Sequence, residues 1–410
     1  MLPNIPSDKN KAVGLRNVMM MGLVSFFTDF STEMVLGVLP LYIVNNLGAS
    51  RAILGAIEGS AELTSYGIRM VSGSLSDKVG KRKIFVLIGY GLSTASKPFF
   101  VLSTGWLDAF IVRLVDRMGK GIRTAPRDAL IADSVSESIS GKAFGIHRTI
   151  DQMGAIVGPI AAFAILEVMS IEYVFLFSLI PGAIAVIILI FLVKEVLISR
   201  TAPLHQIKVF VNIKSLISEN KPFLFLLIVS AIFSLGAFNF SFILLKASDF
   251  GVEENLIPIV YAIINVSHTI IGIPSGILAD KIGKEKVLII GYSTLVFTTI
   301  FMVVAPSNFS IYGYILAAIF GLYIGISETV QRAVVPRYVK SDLRGTAFGL
   351  FNIIVGASFF VSNIVFGSLW DNYGFNSAAL YSISLSLFAI IGMFIFMNKY
   401  SNSNSIVIDK

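Results

Sequence analysis

Apolar runs of about 20 residues, broken by short clusters of Gly, Pro, Asn or charge, recur along the whole chain. Arg16 to Val44, Ile84 to Leu102, Val174 to Val193 and Ala378 to Met397 are four of them. Each is long enough to cross a hydrocarbon core of about 30 Å at roughly 1.5 Å per residue of helix. Runs and punctuation together predict twelve helices, with limits near 16–44, 52–77, 83–103, 106–132, 141–167, 172–193, 222–246, 255–280, 286–304, 310–334, 344–370 and 377–398. A membrane β-barrel would need shorter segments of alternating polarity, which the sequence lacks.

Composition points the same way. Of the 410 residues 55% are hydrophobic and 14% charged, against roughly 25% charged in soluble domains, and the mean hydropathy is +0.82. An all-α integral membrane protein is expected. The net charge of +7 would suit a nucleic-acid binder, but loop topology accounts for it in a membrane chain. With both termini in the cytoplasm, about twenty Lys and Arg fall in cytoplasmic segments and about two outside, as the positive-inside rule requires. The expected location is the plasma membrane, with the lipid bilayer as partner and no nucleic acid. About 15 mostly polar residues precede a first run that carries Asp29 and Glu33, an arrangement unlike a cleavable leader. With no cysteine, thiolate metal sites and disulfides are excluded. Neither a phosphate-binding Gly loop nor a paired-His metal motif is present, so no enzyme, metal or cofactor is expected.

The two halves repeat. Gly73-Ser-Leu-Ser-Asp77-Lys78-Val-Gly80-Lys81 follows the second run, and Gly276-Ile-Leu-Ala-Asp280-Lys281-Ile-Gly283-Lys284 follows the eighth. Gly141-Lys-Ala-Phe-Gly145 opens the fifth run and Gly345-Thr-Ala-Phe-Gly349 the eleventh. Two motifs recurring at nearly one offset indicate duplication. The expected division is a six-helix bundle over 1–194, a cytoplasmic connection over 195–221 and a second six-helix bundle over 222–410. Parallel six-helix repeats around a midplane site describe one class of secondary transporter.

Gly73 to Arg82 resembles the loop signature of the Major Facilitator Superfamily: a Gly, an Asp followed by a basic residue, then Gly with two basic residues. The signature recurs, weakened, at Gly276 to Lys284. The resemblance covers the whole chain. It implies a monomeric carrier of two pseudo-symmetric six-helix bundles that rock about a central cavity holding a small-molecule substrate. It also implies that Gly73, Asp77, Lys78, Gly80, Lys81 and Arg82, with Gly276, Asp280, Lys281 and Gly283, form a conformational latch. Physically, a carboxylate at the end of one helix can meet the positive amino end of another, here near Arg344 or Gly141. The cations alone could be topology determinants, but that reading would not require the Asp or the glycines.

In the fifth run, Gly154-Ala-Ile-Val-Gly158-Pro159 resembles a signature of the family's proton-coupled antiporter branch, although Ala161-Ala162 stands where a second glycine pair is usual. Small residues one turn apart also serve ordinary close packing. Asp29 and Glu33 lie near the middle of the first run, one turn apart on one face. A carboxylate in hydrocarbon must be paired, hydrated or protonated, and proton coupling uses that property. Glu58 and Glu62 repeat the spacing in the second run, with Arg69 further on. These acids either couple protons or neutralise the cations of the fourth run.

That fourth run ends in RLVDRMGKGIRTAPRD, Arg113 to Asp128, where seven of sixteen residues are charged. Arg113, Arg117, Lys120, Thr124 and Arg127 share an arc of roughly 80° on a helix, with Asp116 and Arg123 at one edge and Asp128 at the other. Such a stripe must line water or meet acids. Arg117-Met-Gly-Lys120-Gly121 resembles a family signature whose Arg is associated with proton transfer, with Lys in place of Gln. The corresponding tenth run has only Glu328 and Arg332. The stripe is therefore an internal ion-pair network or an anion site, and the network is favoured. His147, Arg148 and Asp151 add titratable groups to the fifth run. His147 is either a switch near neutral pH or a solvated residue at a helix start.

The candidates for proton coupling are thus Asp29, Glu33, Arg113, Asp116, Arg117 and Asp151. Those for a substrate cavity are Glu58, Glu62, Lys120, Arg123, Arg127, Asn239, Asn265, His268, Glu328 and Asn352. Phe233, Phe238, Phe240 and Phe242 around the seventh run either pack or contact substrate. The favoured reading is export of a small organic or amphiphilic molecule driven by the proton gradient. Uptake or exchange of an organic anion is the alternative.

Overall fold

A computed structural model describes residues 8–196, 216, 220–340 and 343–401, and every regular element among them is helical. In chain order these are α1 (Gly14–Asn46), α2 (Arg51–Val79), α3 (Arg82–Leu102), α4 (Trp106–Asp133), α5 (Ser140–Leu166), α6 (Ile171–Phe191), α7 (Lys221–Asp249), α8 (Glu254–Ile282), α9 (Lys284–Val304), α10 (Ile311–Arg337), α11 (Arg344–Tyr373) and α12 (Phe375–Tyr400). Among the described residues, ten helices are long and apolar enough to cross a membrane. The other two, α2 with 29 residues and α4 with 28, have the length but carry the charges of the loop motif and the cationic stripe. Predicted and observed limits agree to within a few residues. Most of the expected connection over 195–221 lies outside the described residues.

Residue chemistry explains where the helices stop and bend. Gly80 (φ 70°) and Gly283 (φ 104°) end α2 and α8 in a conformation that side chains resist. Their amides return to the Ser76 and Ala279 carbonyls, so the repeated loop motif needs glycine at this point in both halves. α1 bends at Gly37 and Val38, ahead of Pro40. α3 tightens into a 3₁₀ turn over Lys97–Leu102, with a proline at its start. By contrast α4 runs through Pro126 to Asp133, so the stripe stays on one continuous helix.

Contacts divide the chain into two compact units, Met1–Leu39 with Thr64–Pro203 and Pro40–Leu63 with Leu204–Lys410. In the first unit, Val18, Met21 and Val24 of α1 form a core with Val86 and Tyr90 of α3, Leu130 and Ile131 of α4, Ala143 of α5 and Ala185 and Leu189 of α6. On α6, Ile180, Ile184, Ile187 and Phe191 are exposed, a continuous apolar face suited to lipid rather than water.

In the second unit the start of α2 lies on α11 with almost no side chain between them. A Cβ on Gly59 would sit 2.9 Å from Phe360 Cα, and one on Gly55 would overlap the Asn363 carbonyl. Asp371 fastens the end of this seam: it accepts from the Ala52 amide at 2.9 Å and pairs with Arg51 at 3.5 Å. Arg51 also stacks over Trp370 at 4.8 Å. These contacts hold Pro40–Leu63, from the first half of the sequence, in the second unit. Elsewhere in that unit Phe233 stacks on Tyr292 at 3.6 Å and Phe238 on Phe366 at 4.5 Å. Phe233, Phe238 and Phe242 are buried, so packing occupies them.

Candidate functional site

The charges of α4 enter the interior of the first unit. Arg113, Asp116, Arg117 and Arg123 are all buried, at 1%, 4%, 2% and 4% exposure, while Lys120 is exposed. Asp116 is the hub of the buried group. It accepts from Ser93 Oγ of α3 and from Arg113 at 3.1 Å, and Arg117 Nε lies 3.9 Å away. Each partner offsets part of the desolvation of the others, which an isolated buried charge could not survive.

Around this hub lie groups that the sequence left unassigned. Lys97, at 1% exposure, donates from Nζ to Ser31 Oγ of α1 at 2.9 Å, and Ser31 in turn donates to the Ser178 carbonyl of α6 at 2.6 Å. Lys97 is the one charged residue between Lys83 and Asp108, and that was its only signal. Next along α4, the Arg123 guanidinium lies 4.6 Å from the centre of the Tyr90 ring. Tyr90 OH and Ser25 Oγ hydrogen-bond at 2.9 Å, and Ser25 Oγ meets His147 Nε2 at 2.9 Å. His147 is buried at 3% exposure, which overturns the reading of a solvated residue. Inward-facing serines on α1 give too weak a hydrophobic contrast to be noticed in sequence.

Toward the end of α4, Arg127 grips one Asp128 oxygen through Nε and Nη2 at 3.0 and 2.8 Å, and Arg69 of α2 reaches the other at 3.3 Å. On α5, Arg148 pairs with Asp151 at 3.3 Å. Asp29 of α1 lies within electrostatic reach of Asp151, and Glu33, Arg123 and Lys120 act on it as well.

Gly154 and Gly158 explain how the acids of α1 and α5 come together. A Cβ on Gly158 would lie 2.6 Å from the Phe30 carbonyl and 2.9 Å from the Met34 amide, and one on Gly154 would overlap the Phe26 carbonyl. The two backbones therefore touch along the turns that carry Asp29 and Glu33.

At the loop motif, Arg82 pairs with Asp133 of α4 at 2.8 Å and with the exposed Asp77 at 3.4 Å. The Glu195 carboxylate accepts from the first amides of α3, Arg82 at 3.1 Å and Lys83 at 3.0 Å, the favourable place for an anion at a helix start. Lys78, Lys81, Asp280 and Lys281 are exposed.

The second unit carries fewer charges. Buried Glu285 accepts from Arg337 at 3.0 and 3.1 Å and from the Tyr338 hydroxyl at 2.5 Å. His268 of α8 meets Glu328 of α10 at 3.1 Å; the Arg332 side chain lies outside the described residues. Asn265 and Asn352 are half-buried on α8 and α11, as is Glu62 on α2, whereas Glu58 is buried at 1% exposure. Asn239 closes a break in α7: its side chain caps the helix restarting at Phe240, and its amide donates to Asn363 Oδ1 at 2.8 Å.

Sequence comparison supplies the family. A model of the Major Facilitator Superfamily matches residues 21–362 and again 224–406. The chain belongs to the Major Facilitator Superfamily. An uncharacterized transporter of this family from Methanocaldococcus jannaschii is 37% identical over 366 residues, covering 87% of this chain and 88% of that protein. More distantly, the quinolone resistance protein NorA of Staphylococcus aureus is 25% identical over 356 residues, covering 84% and 88%. Among solved structures, the nucleoside transporter NupG aligns with a TM-score of 0.73 at 15% identity over 94% of this chain and all of that one. A POT family transporter aligns at 0.75 and 14% identity over 93% and 96%. The likeness to these solved structures is one of fold. The chain is a multi-pass membrane protein of a family of secondary transporters, built on the major facilitator fold.

Proposed function

We propose that the chain exports a small organic or amphiphilic molecule by alternating access, in exchange for protons that load on the Asp29–Asp151 pair. The observation that carries this reading is the placing of Asp29 of α1 within electrostatic reach of Asp151 of α5, amid the charges of Glu33, Arg123 and Lys120. The glycine seam supports it, because Gly154 and Gly158 fix the two acid-bearing turns against each other. The distant similarity to a drug resistance protein supports the direction. Arg113, Asp116 and Arg117 hold the charge balance beside the pair. Glu58, Glu62, Lys120, Arg123, Arg127, Asn265, His268, Glu328 and Asn352 are the proposed cavity groups, Asn239 being taken up by the break in α7. The Asp77 and Asp280 loops are the proposed latch of a monomeric carrier in the plasma membrane, with both termini cytoplasmic.

Proteoliposomes with a trapped pH dye test this reading, with lipophilic cations, zwitterions and organic anions added in turn. Proton movement is expected with at least one class, and is expected to disappear in Asp29→Asn and Asp151→Asn while substrate exchange persists. Substrate transport by wild type without any proton movement would refute the coupling.

The burial of Arg113, Arg117 and Arg123 favours a second reading, an exchanger or symporter for an organic anion. Thermal stabilisation by organic anions alone, lost in Arg117→Gln or Lys120→Gln, would select it.

A further inference from the structure

Lys97 has no part in the reading above. It is one of four lysine and arginine side chains buried in the first unit, with Arg113, Arg117 and Arg123. A guanidinium stays charged at any working pH, whereas an enclosed amine can give up its proton. Lys97 is therefore the adjustable charge of the four. Among the described residues, its Nζ makes one hydrogen bond, to Ser31 Oγ at 2.9 Å, and no ion pair. Ser31 gives its own proton to the Ser178 carbonyl at 2.6 Å, so its oxygen only accepts from Nζ. Amine and ammonium can both use such a partner, since each carries N–H donors, but a buried ammonium needs an anion as well. The charged groups in reach of Nζ come from two helices, Asp29 and Glu33 from α1 and Asp116 and Arg123 from α4, while α6 presents the Ser178 carbonyl. Of these acids, Asp116 is already joined to the helix that carries Lys97. One of its oxygens accepts from Ser93, which lies one turn before Lys97, and residues four apart on a helix are neighbours. The other accepts from Arg113 at 3.1 Å.

We propose that Lys97 is a further proton-exchanging group of the first unit, and that its charge sets which partners Asp116 keeps. As an amine, Lys97 stays on Ser31 and ties α3 to α1, while Asp116 belongs to Ser93 and Arg113. When the nitrogen lone pair takes a proton from hydronium, one N–H bond forms and one O–H bond breaks, leaving water. The ammonium then competes with Arg113 for Asp116, and the tie between α3 and Ser31 loosens. Return of the proton to water reverses both changes. The use of this exchange in transport rests on the proton-coupled reading; the exchange itself does not.

The exchange is tested without reference to transport by carbon-13 NMR of the full chain in lipid nanodiscs, labelled at the lysine Cε atoms. The Lys97 signal is the one missing from Lys97→Met and from Lys97→Arg, either of which suffices to assign it. It is expected to move between its ammonium and amine positions across neutral pH, while exposed lysines stay at the ammonium position. A Lys97 signal fixed at the ammonium position would overturn the proposal. Proton movement in proteoliposomes, measured against pH and scaled to each variant's own maximum, then reads the use of the exchange. The wild-type profile is expected to be flattened alike in Lys97→Met, which is never charged, and in Lys97→Arg, which is always charged. A wild-type profile in Lys97→Arg would show that a fixed positive charge is all the site needs, and would overturn the role in coupling. A titrating Lys97 signal in a wild type that transports substrate and moves no protons would uphold the exchange and sink the proton-coupled reading instead.

Discussion

Asp116 shows what a single residue does in this interior. It answers Ser93, Arg113 and Arg117 together, and all three charged side chains are nearly inaccessible. Removing its charge strands two guanidinium groups, and breaking a buried pair in this way costs about 3–5 kcal/mol. Asp116→Asn is therefore expected to lower the unfolding free energy of the detergent-purified protein by about that amount in a denaturant titration, and Ser93→Ala by only about 1 kcal/mol. Wild-type stability in Asp116→Asn would mean that Arg113 and Arg117 find other partners. Helical phase on α4 was enough to name Asp116, Arg113 and Arg117 as candidates. It could not supply Lys97, Ser25 or Tyr90, because phase assigns a face and not the helix that meets it. For the same reason Asn239 read as a cavity group, while its amide and side chain are engaged in the α7 break.

That break and the α1–α5 seam belong to the scale of the element. Between Gly236 and Asn239, α7 releases carbonyls that the bilayer cannot satisfy. Ser382 donates to the Gly236 carbonyl and Ser362 to that of Ala237, each at 2.6 Å. Ser362→Ala is expected to cost about 1–3 kcal/mol, the penalty of an unsatisfied buried carbonyl, measured by the same titration; an unchanged midpoint would mean the break is satisfied without it. In the seam, Gly158→Leu has nowhere to go, because its obstacles are the backbone of Phe30 and Met34. A loss of at least about 1–3 kcal/mol is expected, with a lower thermal midpoint. Gly145→Ala on the same helix, where nothing lies within 4 Å, should match or exceed wild type. Equal behaviour of the two substitutions would remove the argument for close backbone contact.

Across the whole molecule, the duplication left a matched pair of bridges with reversed polarity. Gly80 corresponds to Gly283 and Gly121 to Gly325, so Arg82 corresponds to Glu285 and Asp133 to Arg337. In the first unit the start of α3 carries the cation and the end of α4 the acid, 2.8 Å apart. In the second, the start of α9 carries the acid and the end of α10 the cation, 3.0 Å apart. If the bridge matters and its direction does not, Arg82→Glu should reduce the yield of folded protein in size-exclusion chromatography. Adding Asp133→Arg should restore most of it. No recovery in the double variant would tie Arg82 to its other partner, Asp77.

The sequence by itself determined the helices, their limits, the duplication and the family resemblance, because a bilayer enforces long apolar runs and because glycine, proline and charge punctuate them locally. It also determined that the charged face of α4 could not meet lipid. Only the tertiary structure decided which acid answers which cation, that His147 is buried against Ser25, and that Pro40–Leu63 groups with the second unit. Those outcomes depend on which helix faces meet, and contacts between residues a hundred positions apart leave no period in the chain that carries them.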